Sequence, residues 1–400
     1  MRVLLLSFYY PPDLSAGSFR AQALVEALQE VGPEDLKIDI LTTLPNRYHS
    51  ANWEAEEREE RGPVTIRRLP LPQHRSGMLD QSLAFSSFAR SAWREARGGG
   101  WDVLVATSSR LMTASLGAEI ARRHRIPLYL DIRDLFTDTM GDLLANNALR
   151  HVLPLFRWLE KRTFRRADRV NAVSPGFLPH MQAIAPQHRY RLFTNGIDDA
   201  FLQADFQAKN TKSEGDCPLI LYAGNLGDGQ GLHHILPQAA QALDGRARFR
   251  ILGDGGRRAT LEQRLAEHGV SNVELLPPVP RTELFEHYQE ADIVFLHLND
   301  HDAFRKVLPS KLFEYAATGK PILAGVAGYA QQFLQQEVPG AEVFEPCSVQ
   351  GCLQAFDALQ PTGSPVPREA FTARYARRRI MRDMASDILE LAREPRASAS

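Results

Sequence analysis

Residues 219–243 read LILYAGNLGDGQGLHHILPQAAQAL. Five apolar residues, Leu219–Ala223, predict a buried strand, and the glycine-rich stretch from Gly224 predicts a loop. The chain from Gly231 to Leu243 predicts a helix. A short apolar run that opens through glycines into a helix is the repeating unit of a parallel α/β layer. The unit recurs downstream. Phe249–Leu252 predicts a strand, Gly253-Asp254-Gly255-Gly256 its loop and Arg257–His268 its helix. Val273–Leu276, Ile293–His297 and Pro321–Ala324 predict further strands, with a helix at Ser310–Thr318 between the last two.

The first half follows the same grammar. Val3–Phe8 predicts a strand and Ser18–Val31 the helix after its loop. Ile38–Thr42, Val64–Arg68, Val103–Thr107 and Leu128–Asp131 predict more strands, the last two ending in polar residues where a parallel sheet presents its chemistry. Between the halves, residues 203–217 are polar and read as a linker. The expectation is two Rossmann-like α/β domains, residues 1–198 and 217–368, with a cleft between them. Pro-rich residues 360–368 precede a helix expected at 369–391, which crosses back to brace the first domain. The tail after it is expected to be disordered.

Composition narrows the function. Four hundred residues exceed what one core usually holds. A net charge of −1 excludes a nucleic-acid binder of the wholly basic kind, and three cysteines are too few for a disulfide framework or a zinc site. The apolar run after Met1 is short and soon meets Pro11-Pro12, so it reads as a strand rather than a signal peptide. No apolar stretch is long enough to span a bilayer. A cytoplasmic protein is expected.

The strongest chemical signal is Pro309-Ser310-Lys311-Leu312-Phe313-Glu314-Tyr315-Ala316-Ala317-Thr318-Gly319-Lys320-Pro321. Ser310 is placed to cap a helix whose first N–H groups form an anion site. Glu314 lies one turn further, on the same face. Such an arrangement suits phosphates and ribose hydroxyls, although a capped core helix with a solvated Glu reads the same way. The Gly224–Gly231 and Gly253–Gly256 loops let backbone approach a phosphate, or are plain tight turns. The rigid Leu276–Pro280 segment, with Val279, offers peptide groups to a base edge. In the first half, Tyr10–Gly17 links strand to helix and puts Gly17 and Ser18 near a helix N-terminus. Asp131-Ile132-Arg133-Asp134 ends a strand. Asp131, Arg133 or Asp134 binds an acceptor or acts as a base, or the segment forms a buried salt bridge. Asn195-Gly196-Ile197-Asp198 reads as a turn between the halves.

Taken in order, the Pro-Pro…Gly17 loop, Tyr129–Leu135, Ala167-Asp168…Val173-Ser174, Asn195–Asp198, Tyr222–Gly227 and Pro309–Pro321 resemble the retaining glycosyltransferases of family 4. Among them the chain is most similar to the O-antigen and capsule subgroup that includes L-fucosamine transferases. The resemblance covers nearly the whole chain and implies the GT-B fold of two facing Rossmann-like domains. It implies that Glu314 binds the donor ribose, that Gly17 and the Gly224–Gly227 loop approach the diphosphate, and that backbone near Val279 holds the base. It implies a UDP-sugar donor, a hexose or an N-acetylated or 6-deoxy amino sugar to transfer, and a lipid-linked glycan acceptor. It also implies no metal or other cofactor, since basic side chains and helix N-termini stabilise the leaving diphosphate. Asp300-His301-Asp302 has metal-ligand spacing but reads as incidental.

Two departures from the family pattern stand out. Many members carry Arg and Lys where this chain has Asn225 and Gln230, and a Glu where Lys306 stands eight residues before Glu314. Arg305, Lys306 and Lys311 are the cations that remain to meet the diphosphate. The expected catalytic set is Asp131, Arg133, Lys306 and Glu314. The expected donor set is Gly17, Gly224, Asn225, Gly227, Gln230, Gly253, Val279, Arg305, Ser310, Lys311 and Glu314. Basic residues from Arg157 to Arg169, interleaved with Trp158 and Phe164, form either a solvated helix face or a contact with the inner membrane surface. Two rivals share the fold: a sugar-nucleotide epimerase, and a nucleotide-sugar-binding scaffold without catalysis.

Overall fold

The computed structural model describes residues 1–13, 15–45, 55–72, 78–108, 111–138, 151–206, 217–359 and 366–394. The linker expected at 203–217 and the terminal tail fall mostly outside these. The chain divides into two compact units, Met1–Asn195 with the chain from Arg377 onward, and Gly196–Ala376.

The first unit is built on a sheet of seven strands: β1 (Arg2–Leu6), β2 (Lys37–Thr43), β3 (Arg58–Arg61), β4 (Val64–Leu69), β5 (Val103–Ser108), β6 (Leu128–Ile132) and β7 (Arg169–Ala172). Their order is β3-β4-β2-β1-β5-β6-β7, parallel except for β3 against β4. β1, β5 and β6 are apolar and buried on both faces, as a parallel sheet between helix layers demands. The antiparallel edge β3 is Arg-Glu-Glu-Arg and mostly exposed, a charged edge that blunts strand addition.

The second unit has six parallel strands: β8 (Leu219–Ala223), β9 (Arg248–Leu252), β10 (Val273–Leu276), β11 (Ile293–His297), β12 (Ile322–Gly325) and β13 (Ala341–Phe344). Their order is β10-β9-β8-β11-β12-β13. The order of strand connection reverses between the parallel neighbours β8 and β11, and in open α/β sheets ligands bind at such a point. Its core gathers Ile220, Ile235, Phe249, Ile251, Phe295 and Leu323. Pro237 lies inside the helix Leu232–Ala242 and cannot donate to the carbonyl of His233. Arg264 Nη1 fills that carbonyl at 2.8 Å.

The single helix expected at 369–391 is two helices. Glu369–Arg374 stays with the second unit, where Phe371 stacks on Phe313 and meets the Tyr375 ring at a tilt. Arg377–Arg393 belongs to the first and packs along Ala16–Val31 through Ile380, Met381, Met384 and Ile388. The break is fixed by pairing: Ile197 N–H donates to Tyr375 O at 2.7 Å, and Arg377 Nε to Asn195 O at 3.1 Å. Ile197 and Ala376 form an isolated parallel bridge, and a continuous helix would have no partner for Ile197 there.

Candidate functional site

In the second unit the loops after β8 and β9 lie back to back. Gly224 N–H donates to Leu252 O at 2.8 Å, and Leu226 N–H to Asp254 O at 2.9 Å. Gly253 has φ +147°, and a Cβ there would overlap the Gly224 carbonyl, so glycine is required for both reasons. Arg258 Nη1 donates to Gly253 O at 2.6 Å and Leu276 O at 3.0 Å, joining this pair to the loop that carries half-buried Val279.

The helix Ser310–Ala317 closes on the same place. Tyr315 Oη accepts from Ala223 N at 3.2 Å, and Tyr222 Oη donates to Asn225 O at 2.7 Å. Both tyrosines are fully buried, and burial raises both hydroxyls far above their usual range. Ser310 does not cap the helix, contrary to expectation: the cap position is Pro309, and no side chain bonds the first turn. Proline fixes the entry but has no side-chain acceptor, so the positive helix end stays open to an anion.

Lys311 lies over Gly224. A Cβ on Gly224 would sit 2.8 Å from Lys311 Nζ. Burial lowers the pKa of this ammonium, and the charge of Glu314 opposes that. No carboxylate lies within 4 Å of it among the described residues. Glu314 is half-buried on the same face, three residues on.

The other candidates take different places. Asn225 Nδ2 donates to Gln230 Oε1 at 2.8 Å, and Gly227 N–H to the same oxygen at 3.2 Å. These neutral residues brace the loop internally. Arg305 is exposed and pairs with Asp300 at 3.1 Å and Asp302 at 3.7 Å, so its charge is met by the acids once weighed as metal ligands. Lys306 ends the short turn Asp302–Lys306 and is half-buried.

Sequence reasoning missed His297. Its Nδ1–H donates to Gln230 O at 2.7 Å and its Nε2 accepts Cys347 N–H at 3.0 Å. Burial holds its pKa down to about 4, so it is a neutral tie between β11 and the glycine loop. The apolar run Ile293–His297 was the available signal, since it ends in one buried polar residue.

In the first unit Asp131 is not at the surface, and the reading of it as base or acceptor ligand is corrected. It is 0 % exposed. Arg20 grips both its oxygens at 2.8 and 2.9 Å, and Asn171 Nδ2 donates to one of them at 2.7 Å. Burial alone would raise its pKa, but the Arg20 charge and hydrogen bonds hold it below the usual carboxylate range. Arg20 also donates to Thr194 O and Phe193 O at 2.7 and 2.8 Å. The cluster ties the first helix, β6, β7 and residues 193–194 together.

Arg133 points elsewhere. A Cβ on Gly17 would overlap its guanidinium. Its Nε is buried without a hydrogen-bond partner, and no ion pair reaches it among the described residues. Burial, with Arg20 close by, pushes its pKa down to about 10, so it stays charged at neutral pH. Gly17 opens the first helix, whose cap is Ser15, accepting from Ser18 N at 3.1 Å. Arg169, counted with the basic stretch from Arg157, is buried and bonds Asp387 at 2.7 Å, so it leaves that surface.

The chain is similar to known proteins along most of its length. The family description "Glycosyl transferase 4-like domain" fits residues 17–196, and "Glycosyl transferases group 1" fits residues 203–359. A protein of Escherichia coli (strain K12) described as "Putative colanic acid biosynthesis glycosyl transferase WcaI" is 27% identical over 97% of this chain and 100% of its own. Among solved structures, sucrose-phosphate synthase from Thermosynechococcus elongatus superposes with TM-score 0.71 at 15% identity, covering 98% of this chain and 96% of that one. Anabaena HepE in complex with UDP-glucose gives 0.67 at 15% identity, covering 98% and 99%. Both likenesses are of fold.

Proposed function

Since the chain belongs to the family 4 glycosyltransferases, we propose that it moves a sugar from UDP to a lipid-linked polysaccharide precursor, with retention at the anomeric carbon. The sugars that fit the reading are a hexose or an N-acetylated or 6-deoxy amino sugar. The observation that carries it is Lys311 Nζ over the Gly224 backbone, beside a helix end that no side chain caps.

In the transfer, the bond between the anomeric carbon and the β-phosphate oxygen breaks and UDP leaves with the electron pair. An acceptor hydroxyl forms the new C–O bond, and its proton passes to the β-phosphate oxygen of the departing UDP, which holds the electron pair. The charge that grows on the diphosphate needs donors already in place. Lys311 and the amides at the start of Ser310–Ala317 supply them, with the loop glycines allowing close approach. Asn225 and Gln230 hold the loop's shape and carry no charge, so in this reading Lys311 supplies the cation that the family resemblance leads one to expect in the loop. Lys306 adds a second positive charge a turn earlier in the chain. Glu314 accepts from the ribose hydroxyls, and backbone at Val279 takes the base. In the first unit, Arg133 beside Gly17 is a cation awaiting an anion, which suits the phosphate of a lipid-linked acceptor. UDP is favoured because HepE was solved with UDP-glucose, and a polysaccharide precursor because WcaI is named for colanic acid biosynthesis.

The experiment is a thermal-shift comparison of UDP, GDP, ADP and TDP on the full chain with chelator present. At about a hundred times Kd a ligand adds roughly 2.7 kcal/mol to the folded state. UDP is expected to shift the melt of the parent protein and to shift Lys311→Ala and Glu314→Ala far less. Failure of every nucleoside diphosphate to bind would overturn the donor assignment.

A further inference from the structure

Three helices cover one face of the first unit's sheet: Met78–Glu95, Leu111–His124 and Leu153–Arg166. The connections β4 to β5, β5 to β6 and β6 to β7 all step across the sheet in one direction. Right-handed crossovers therefore put their helices on one side, while Ala16–Val31, stepping the other way, lies opposite. The middle helix packs against both its neighbours.

The outward positions of this layer are basic. Arg90 and Arg94 on the first helix, with Arg97 just beyond it, are exposed and border an open groove of about 310 Å³ floored by Ala89 and Leu116. Arg123 on the middle helix lies over the Trp93 ring at 5.3 Å. On the third helix Arg157, Lys161 and Arg165 are exposed. None of these seven has a carboxylate within 4 Å among the described residues. The acids with described side chains on the three helices are all engaged. Glu95 pairs with Arg67 at 3.1 Å. Glu119 bonds Arg122 at 2.9 Å, Arg162 at 2.6 Å and Arg166, which pins the middle helix to the third. Glu160 is buried on Thr137 and His180. A chain of net charge −1 has thus gathered uncompensated cations on one face.

Apolar groups stand among them. Leu155 is 62% exposed, Trp158 54% and Leu83 on the first helix 65%. Trp158 is three residues from Leu155 and one turn from Lys161, and Arg162 covers its ring at 5.3 Å. Cations around protruding Leu and Trp on a helix surface are the pattern of an interfacial contact, with the apolar tips in the headgroup layer and the charges at phosphate level. A nucleic acid fits less well, because Arg123 and Arg162 already occupy the ring faces that bases would stack on.

We propose that this three-helix face seats the protein on an anionic bilayer, extending well beyond the one helix visible in sequence. The inference does not rest on the donor site, since a chain that bound no UDP would still carry this surface.

The test is sedimentation of the full chain with vesicles of phosphatidylcholine alone or with about a third phosphatidylglycerol, at about 0.1 M and about 0.5 M salt. Binding is expected to the anionic vesicles only, and to fall at high salt. Each cation near such a surface contributes roughly fivefold in partition. The variant Arg90→Glu/Arg94→Glu/Lys161→Glu/Arg165→Glu is then expected to lose more than about a hundredfold. Leu155→Ala/Trp158→Ala is expected to lose at least about tenfold and to serve should the charge variant not fold. Arg246→Glu/Arg248→Glu, on the second unit, is expected to bind as the parent does. Equal binding to neutral vesicles, no binding to either, parent-like binding by the four-charge variant, or tighter capture by single-stranded RNA would each overturn the proposal.

Discussion

Lys311 Nζ lies directly over the backbone of Gly224, 2.8 Å from where a side chain there would begin. One residue can shield the other's site. In Gly224→Ala the new methyl must displace the ammonium. UDP affinity is expected to fall about tenfold or more, as for loss of a hydrogen bond to a charged group. Lys311→Ala should fall similarly, and the double variant little further, because both remove one contact. Titration calorimetry of the four proteins checks this, and additive losses would separate the two residues.

Glu314 is assigned to the ribose. Glu314→Gln is expected to weaken UDP about tenfold while weakening 2′-deoxy-UDP clearly less, since the lost partner is a hydroxyl. Equal losses for both ligands would move Glu314 off the 2′-hydroxyl.

The Arg20–Asp131 pair is buried, with side chains 2% and 1% exposed. Asp131→Ala leaves Arg20 charged and buried, at an expected cost of about 3–5 kcal/mol in urea denaturation. Asp131 titrates below its unfolded value of about 3.9. Its contribution is therefore complete above that pH and is lost as pH falls through the folded pKa. The parent should lose stability on that acid limb, and the variant should lose less.

His297 titrates lower in the fold than in the unfolded chain, about 4 against about 6.5. The unfolded chain binds the proton first, so stability is full above about pH 6.5 and falls toward pH 4. The expected loss is on the order of 3 kcal/mol. Protonation would put a donor against Cys347 N–H and break the tie to the glycine loop. An NMR titration giving His297 an ordinary pKa would remove this account.

The alternation of apolar runs, glycine loops and helices was legible because each is a local pattern. β8 to β12 fall within a residue or so of where Leu219–Ala223, Phe249–Leu252, Val273–Leu276, Ile293–His297 and Pro321–Ala324 put them. The charged edge strand Arg58–Arg61 was not read, since Arg-Glu-Glu-Arg has no apolar period and exists as a strand only through its pairing with β4. In the candidate site, motif and spacing singled out Gly224, Gly253, Lys311 and Glu314, and the structure brings Gly224, Gly253 and Lys311 together. Asp131 was misplaced because its partner Arg20 is 111 residues away, and nothing near Asp131 in sequence distinguishes a buried carboxylate from a catalytic one.

What the sequence alone determined is therefore the set of βα units and the glycine loops and helix starts between them. These follow from periodicity, glycine and helix ends, all properties of neighbouring residues. The tertiary structure decided which charges are spent and which remain. Strand order brings Arg20 to Asp131, Lys311 over Gly224, and three helices from separate stretches into one basic face. A charge's role depends on the burial and the partners it meets there, and strand order rather than chain distance chooses them.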